Sequence, residues 1–154
     1  LNADPRVMEH LPAVLSRRES DAFVDRIEAH FELHGFGLWA VELREAACFA
    51  GFVGLSIPRF QAHFTPCVEV GWRLAHEHWG QGFAAEAAMA ALTFGFEQLA
   101  LGEIVSFTVP TNLRSRGLME RIGMTREPAD DFDHPIFDVS HRLCRHVLYR
   151  KPRA

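Results

Sequence analysis

At 154 residues the chain has the length of one ordinary domain, and 16 Lys and Arg against 20 Asp and Glu leave a formal charge of −4. That balance excludes a protein that grips nucleic acid through a broad basic face, and 48% apolar residues with 13 Phe exclude a disordered tail. No apolar run approaches ~18–20 residues, so no transmembrane helix is expected, and the start Leu1-Asn2-Ala3-Asp4-Pro5-Arg6 shows no signal peptide.

No repeat, low-complexity tract or linker divides the chain, so one domain over residues 1–154 is expected. The first twelve residues read as irregular. Ser16 and Glu19 have capping-box spacing, Phe23, Ile27 and Phe31 follow in steps of four, and Gly35 is a stop, which predicts a helix over 17–34. Two strands, 37–44 and 47–57, follow with a tight turn near Glu45 between them. Residues 66–75 alternate with period two, a third strand. Residues 82–100 are Ala-rich and free of Pro, a long helix closed by Gly102. A short β-branched strand covers 103–109, Asn112 caps a helix ending at Gly123, and 124–127 forms a short strand. After a polar loop, Asp130 to Pro135, residues 141–150 form the last strand. The fold class is α/β, a mixed sheet with an antiparallel first half and a parallel strand–helix–strand crossover, flanked by helices.

The cysteines Cys48, Cys67 and Cys144 lie among apolar neighbours, the pattern of reduced, buried thiols in a cytoplasmic protein. Among nine histidines, His30 and His34 have an i, i+4 spacing able to bind zinc. No Cys or second acidic ligand set accompanies them, so no metal is expected.

The chemistry concentrates between Val68 and Gly123. Trp79-Gly80-Gln81-Gly82-Phe83-Ala84 joins a strand to a helix. A helix start leaves amides without intrahelical acceptors and carries partial positive charge, which suits a phosphate. The same turn also reads as an ordinary tight connection. The Gly-Lys-Ser/Thr ending of a P-loop is absent, and so is the third Gly of the dinucleotide fingerprint.

This block resembles the acetyl-CoA loop of the GNAT superfamily of N-acetyltransferases, Gln/Arg-x-x-Gly-x-Gly/Ala, with Gly82 and Ala84 at its last two fixed positions and Trp79 where Gln or Arg belongs. Glu69-Val70-Gly71-Trp72 before the loop, the stretch from Asn112 to Met124 and the last strand resemble the ribosomal-protein alanine N-acetyltransferase subgroup. The resemblance implies acetyl-CoA as cosubstrate, without a metal, and transfer of its acetyl group to a primary amine, either a protein N-terminus or a small molecule. It also implies that the family's first strand is absent here. Residues 37–44 are therefore expected at a sheet edge, or covered by another chain such as the second copy in a homodimer.

By the same resemblance, the main chain of Trp72, Arg73 and Leu74 bonds the pantetheine. Trp79, Gly80, Gln81, Gly82, Phe83 and Ala84 hold the diphosphate, and Asn112 bonds the pantetheine or caps its helix. Glu69, a carboxyl in an otherwise apolar strand, is the candidate base, acting directly or through a water. Met119 stands where many family members have Tyr, leaving Ser115 as the hydroxyl near the leaving sulfur. Tyr149 reads as packing. His76 and His78 flank the loop, and the acidic residues from Asp130 to Asp133 either attract a cationic amine or form a solvated loop. An α-amine has a pKa ~7.8 and Lys ~10.4, so presenting a neutral Lys costs about 3.5 kcal/mol more; a weak base favours the former. A CoA-binding sensor without turnover, and a pure interaction module, are the competing readings.

Overall fold

The computed structural model describes residues 1–44 and 47–153; the expected turn at Glu45 falls outside them. The elements follow in the order α1 (Arg17–His34), β1 (Leu38–Leu43), β2 (Cys48–Ser56), β3 (Glu69–Leu74), α2 (Phe83–Glu97), β4 (Glu103–Thr108), α3 (Leu113–Arg121), β5 (Thr125–Arg126), β6 (Phe132–Asp133) and β7 (Arg145–Pro152). Among the described residues seven strands form one mixed sheet ordered β1-β2-β3-β4-β7-β5, with β6 also on β7. All pairs are antiparallel except β3–β4, which α2 connects as a crossover.

Local chemistry sets these bounds. Ser16 Oγ accepts from the Glu19 amide at 3.3 Å while Glu19 Oε2 accepts from the Ser16 amide at 2.8 Å, a reciprocal cap on α1. Gly35 ends the helix in the left-handed region. Asn112 caps α3 by accepting from the Ser115 amide, and its Nδ2 donates to Thr108 Oγ1 at 3.0 Å. β2 carries one extra residue, Ala50, where the register against β1 shifts, a bulge that bends this edge.

Alternation divides the side chains between two faces. Val53, Leu55, Val70, Leu74, Ile104 and Tyr149 form the main core with Leu92 of α2 and Met119 of α3. On the opposite face α1 lays Phe23 on Phe52, centroids 5.4 Å apart, while Phe60, Phe64 and Phe132 cover Val105, Phe107 and Leu148. Glu69 and Arg73 share this second face. β1 pairs with β2 alone among the described residues, so it lies at the sheet edge as expected.

Several sequence expectations change. The polar loop after α3 contains β6, and the last strand starts at Arg145 because His141 to Cys144 close turns instead, Cys144 N donating to His141 O at 2.9 Å. Only Cys144 of the three thiols is fully buried; Cys48 and Cys67 are half-exposed. His30 has both ring nitrogens engaged, Nδ1 with Phe36 O at 2.7 Å and Nε2 accepting from the Ile57 amide at 3.1 Å. It ties α1 to the sheet and keeps no lone pair for a metal. Among the described residues no helix is long and apolar enough to cross a membrane.

Candidate active site

β3 matches β2 at six positions and β4 matches β7 at six, yet β3 and β4 pair at one, Glu69 opposite Val105. The Val105 amide donates to Val68 O at 2.9 Å. Beyond that point the two parallel strands part, leaving a V-shaped cleft whose walls are main chain. Strand alternation decides which residues face it. Ala75 N bonds Ala50 O on the β2 side and Val68 O bonds toward β4, so the main chain of Trp72 and Leu74 turns to the cleft. That of Arg73 turns to β2.

Arg73 therefore departs from its expected place on the cleft edge. Consecutive strand residues face opposite ways, and its half-buried side chain lies against α1. Its guanidinium lies 5.3 Å from the Phe23 centroid and 5.1 Å from that of Phe52, and donates to Asn2 Oδ1 at 2.8 Å. Burial pulls it down to about 10. Arg73 anchors the N-terminal segment to the sheet.

The loop after β3 reaches the mouth of this cleft. Gly80 (φ 73°) and Gly82 (φ 89°) are left-handed, a conformation other residues adopt at a cost. This geometry keeps the chain outside the helix until Phe83. The first helical bond is Glu86 N to Gly82 O, and among the described residues the amides of Gly80, Gln81, Gly82, Phe83, Ala84 and Ala85 donate to no protein group. Six successive free donors at a helix start are able to take an anion without a cationic side chain. Gln81 is directed away, its Nε2 donating to Glu77 O at 2.8 Å.

Two indoles bridge the cleft toward α3. Trp72 Nε1 donates to Ser115 Oγ at 3.2 Å, which orients the hydroxyl and leaves its own hydrogen available. Trp79 Nε1 donates to Leu74 O at 2.8 Å, and the Arg114 guanidinium stacks 4.7 Å from the Trp79 ring. Trp79 is thus a wall residue. The histidines beside the loop pack against it, His76 on Trp79 and His78 on Phe83.

Glu69 stands where the strands begin to part. Its carboxyl is half-buried, with no ion pair or hydrogen bond among the described residues, and burial pushes it up to about 8. Cys67, two residues away, is raised to about 11 by burial and then by the Glu69 charge. Met119 is buried in the core. Tyr149 is buried too, its hydroxyl donating to Glu120 Oε1 at 2.8 Å, consistent with packing. The acidic loop spends its charges internally: Asp130 pairs with Arg150 at 2.7 Å, Asp131 with Arg126 and Asp133 with Arg145 at 3.1 Å. These carboxylates are structural and are not available to attract an amine.

Sequence reasoning missed Arg114, Arg142 and the N-terminal segment. Arg142 donates to the carbonyls of Glu9 and Leu11, at 3.0 and 3.2 Å. Together with Thr111 and Leu113 these segments border an open depression of about 530 Å³. No spacing in the chain signals it.

A family profile described as "Acetyltransferase (GNAT) domain" matches residues 1–125. The FsC-acetyl coenzyme A-N(2)-transacetylase of Aspergillus fumigatus is 30% identical over 98% of this chain and 67% of its own. An acetyltransferase structure from Agrobacterium tumefaciens is 28% identical, with a TM-score of 0.74 over 97% of this chain and 79% of that one. At the level of fold, the ribosomal-protein-S5-alanine acetyltransferase of Vibrio fischeri also matches, 22% identical with a TM-score of 0.67 over 86% of this chain and 72% of that one.

Proposed function

The chain belongs to the GNAT acetyltransferase family and is by that membership an acetyl-CoA-dependent acetyltransferase; from this premise we propose that it acetylates a primary amine by direct attack within a ternary complex. The observation that carries the reading is the parting of β3 from β4 directly beside the Glu69 carboxyl, with six amides at the cleft mouth that donate to no protein group among the described residues. In this reading the amides of residues 80–85 take the diphosphate, and the main chain of Trp72 and Leu74 lines the path of the pantetheine arm. Asn112 serves as the helix cap that positions Ser115.

The amine nitrogen attacks the thioester carbonyl, forming a C–N bond as the C–S bond breaks. Glu69, ionised, accepts the amine proton, directly or through a water. A carboxylate whose affinity for protons is raised toward 8 is a stronger base than an ordinary one. Ser115, oriented by Trp72, donates a hydrogen bond to the departing thiolate, a role Met119 cannot take. A thiol with a pKa near 8.5 leaves without full protonation, so one hydroxyl suffices.

Acetyl-CoA titrated calorimetrically into the protein, followed by thiol release in the presence of a panel of amines, tests the proposal. Binding followed by amine-dependent release is expected. Binding with no release from any amine selects the sensor reading, and no binding at all removes the cleft from the function.

A further inference from the structure

We propose that Gly71 is a specificity-determining residue of the acceptor side, a role that rests on the acetyl-transfer reading above. The amine reaches the cleft across the space that the missing side chain leaves, and the acceptor is a monoamine with an uncharged, apolar substituent. Strand alternation puts Glu69, Gly71 and Arg73 on one face of β3, the face away from α2 and α3. Arg73 lies against Phe23 of α1 and against Phe52. At Gly71 nothing lies within 4 Å of the point a Cβ would occupy. From Glu69 to Arg73 the strand runs about 13 Å, so bare main chain separates the carboxyl from the guanidinium. Across β2 the partner of Gly71 is Gly54, which adds no side chain. On its other side β4 has already parted, its pairing with β3 being Glu69 opposite Val105. The space over Gly71 is therefore continuous with the cleft and begins one alternation step from Glu69.

The walls select the substituent. Phe107 follows Val105 by one alternation step on β4, on the same face, and so stands level with Gly71 across the gap. Its ring is half-buried, with Phe60 centred 5.6 Å from it. An amine seated over Gly71 with its nitrogen toward Glu69 thus has an aromatic wall on the β4 side. A second ammonium would meet Arg73 along the strand, and the acidic loop that would compensate has already paired Asp130, Asp131 and Asp133 with Arg150, Arg126 and Arg145. The backbone of Gly71 is not left-handed, so its own conformation does not call for glycine. A glycine inside a strand weakens it and marks places where a ligand comes close. What a side chain here would obstruct is the route to the cleft.

Gly71→Ala and Gly71→Val separate this role from a structural one. Both side chains enter open space at an ordinary backbone angle, so thermal unfolding should be unchanged or shifted upward. Acetyl-CoA should bind both variants by calorimetry as it binds the wild-type chain. Thiol release is then measured with methylamine, phenethylamine and spermidine. The expected result is a wild-type preference for phenethylamine in kcat/KM, lowered about tenfold or more by Gly71→Val and less by Gly71→Ala, with methylamine changed by less than about twofold. Better use of spermidine or methylamine than of phenethylamine by the wild-type chain overturns the assignment of an apolar monoamine. Equal losses for methylamine and phenethylamine, or none for either, overturn the role of Gly71, and weakened acetyl-CoA binding makes it a cofactor contact instead. If the wild-type chain releases CoA with no amine, calorimetry of phenethylamine into the CoA-loaded protein decides. Binding that Gly71→Val abolishes keeps the amine's seat and removes the transfer reading, whereas no binding, or binding that the variant leaves intact, overturns the inference.

Discussion

Replacing Glu69 by Gln keeps the side chain's shape and removes its ionisation, which turns the burial of this carboxyl into a measurable free energy. Its value rises from an ordinary 4.5 to about 8 in the folded chain, through burial. A carboxyl raised by folding gives stability that is complete below its unfolded value and is lost as pH climbs through the folded one, here between 4.5 and about 8. By linkage the cost is roughly 1 kcal/mol at about pH 5 and about 4 kcal/mol at about pH 7.5, so about 3 kcal/mol is lost across that interval. Glu69→Gln escapes the loss. His146, which burial pulls down to about 4, titrates in the opposite sense over part of this range, but it is common to both proteins and cancels in the difference. Urea denaturation of each at the two pH values gives the four free energies needed. A stability gap between Glu69→Gln and wild type that is the same at both pH values would refute the burial argument, and with it the reason for assigning Glu69 as base. The kinetic companion is a rising limb in kcat/KM near pH 8 that vanishes in the variant.

Gly82→Ala places a side chain at φ 89° with open space around it, so backbone strain alone should cost about 1–2 kcal/mol in urea denaturation, and acetyl-CoA should bind more weakly by calorimetry. Ser115→Ala should lower kcat at least about tenfold while leaving acetyl-CoA affinity nearly intact; equal losses in both would make Ser115 a binding group. His30→Ala removes the acceptor of the Ile57 amide and the partner of Phe36 O, an expected loss of about 2 kcal/mol in thermal or urea unfolding.

Local signals were the ones the chain displayed openly. Ser16, Glu19 and Gly35 bracket α1 because a cap is chemistry between neighbours, and Gly82 announces the start of α2 for the same reason. The parting of β3 from β4 has no local signal, since the register of Glu69 against Val105 leaves no trace in either strand. Arg73 was misplaced because hydropathy does not say which way a strand's main chain faces; the Ala75 and Val68 bonds do. The residues from His141 to Cys144 looked strand-like yet fold into turns, and the acidic stretch looked free because its arginine partners, Arg126, Arg145 and Arg150, are brought to it by β5 and β7. Arg114 and Arg142 were unreadable as site residues, their meaning arising from partners far along the chain.

The guanidinium of Arg142 closes a loop of 133 residues when it takes the Glu9 carbonyl. A contact between partners so distant along the sequence has to await the folding of the sheet that lies between them, because closing so long a loop earlier costs too much entropy. The irregular segment around Glu9 is therefore fastened by the tertiary structure and not by its own neighbours.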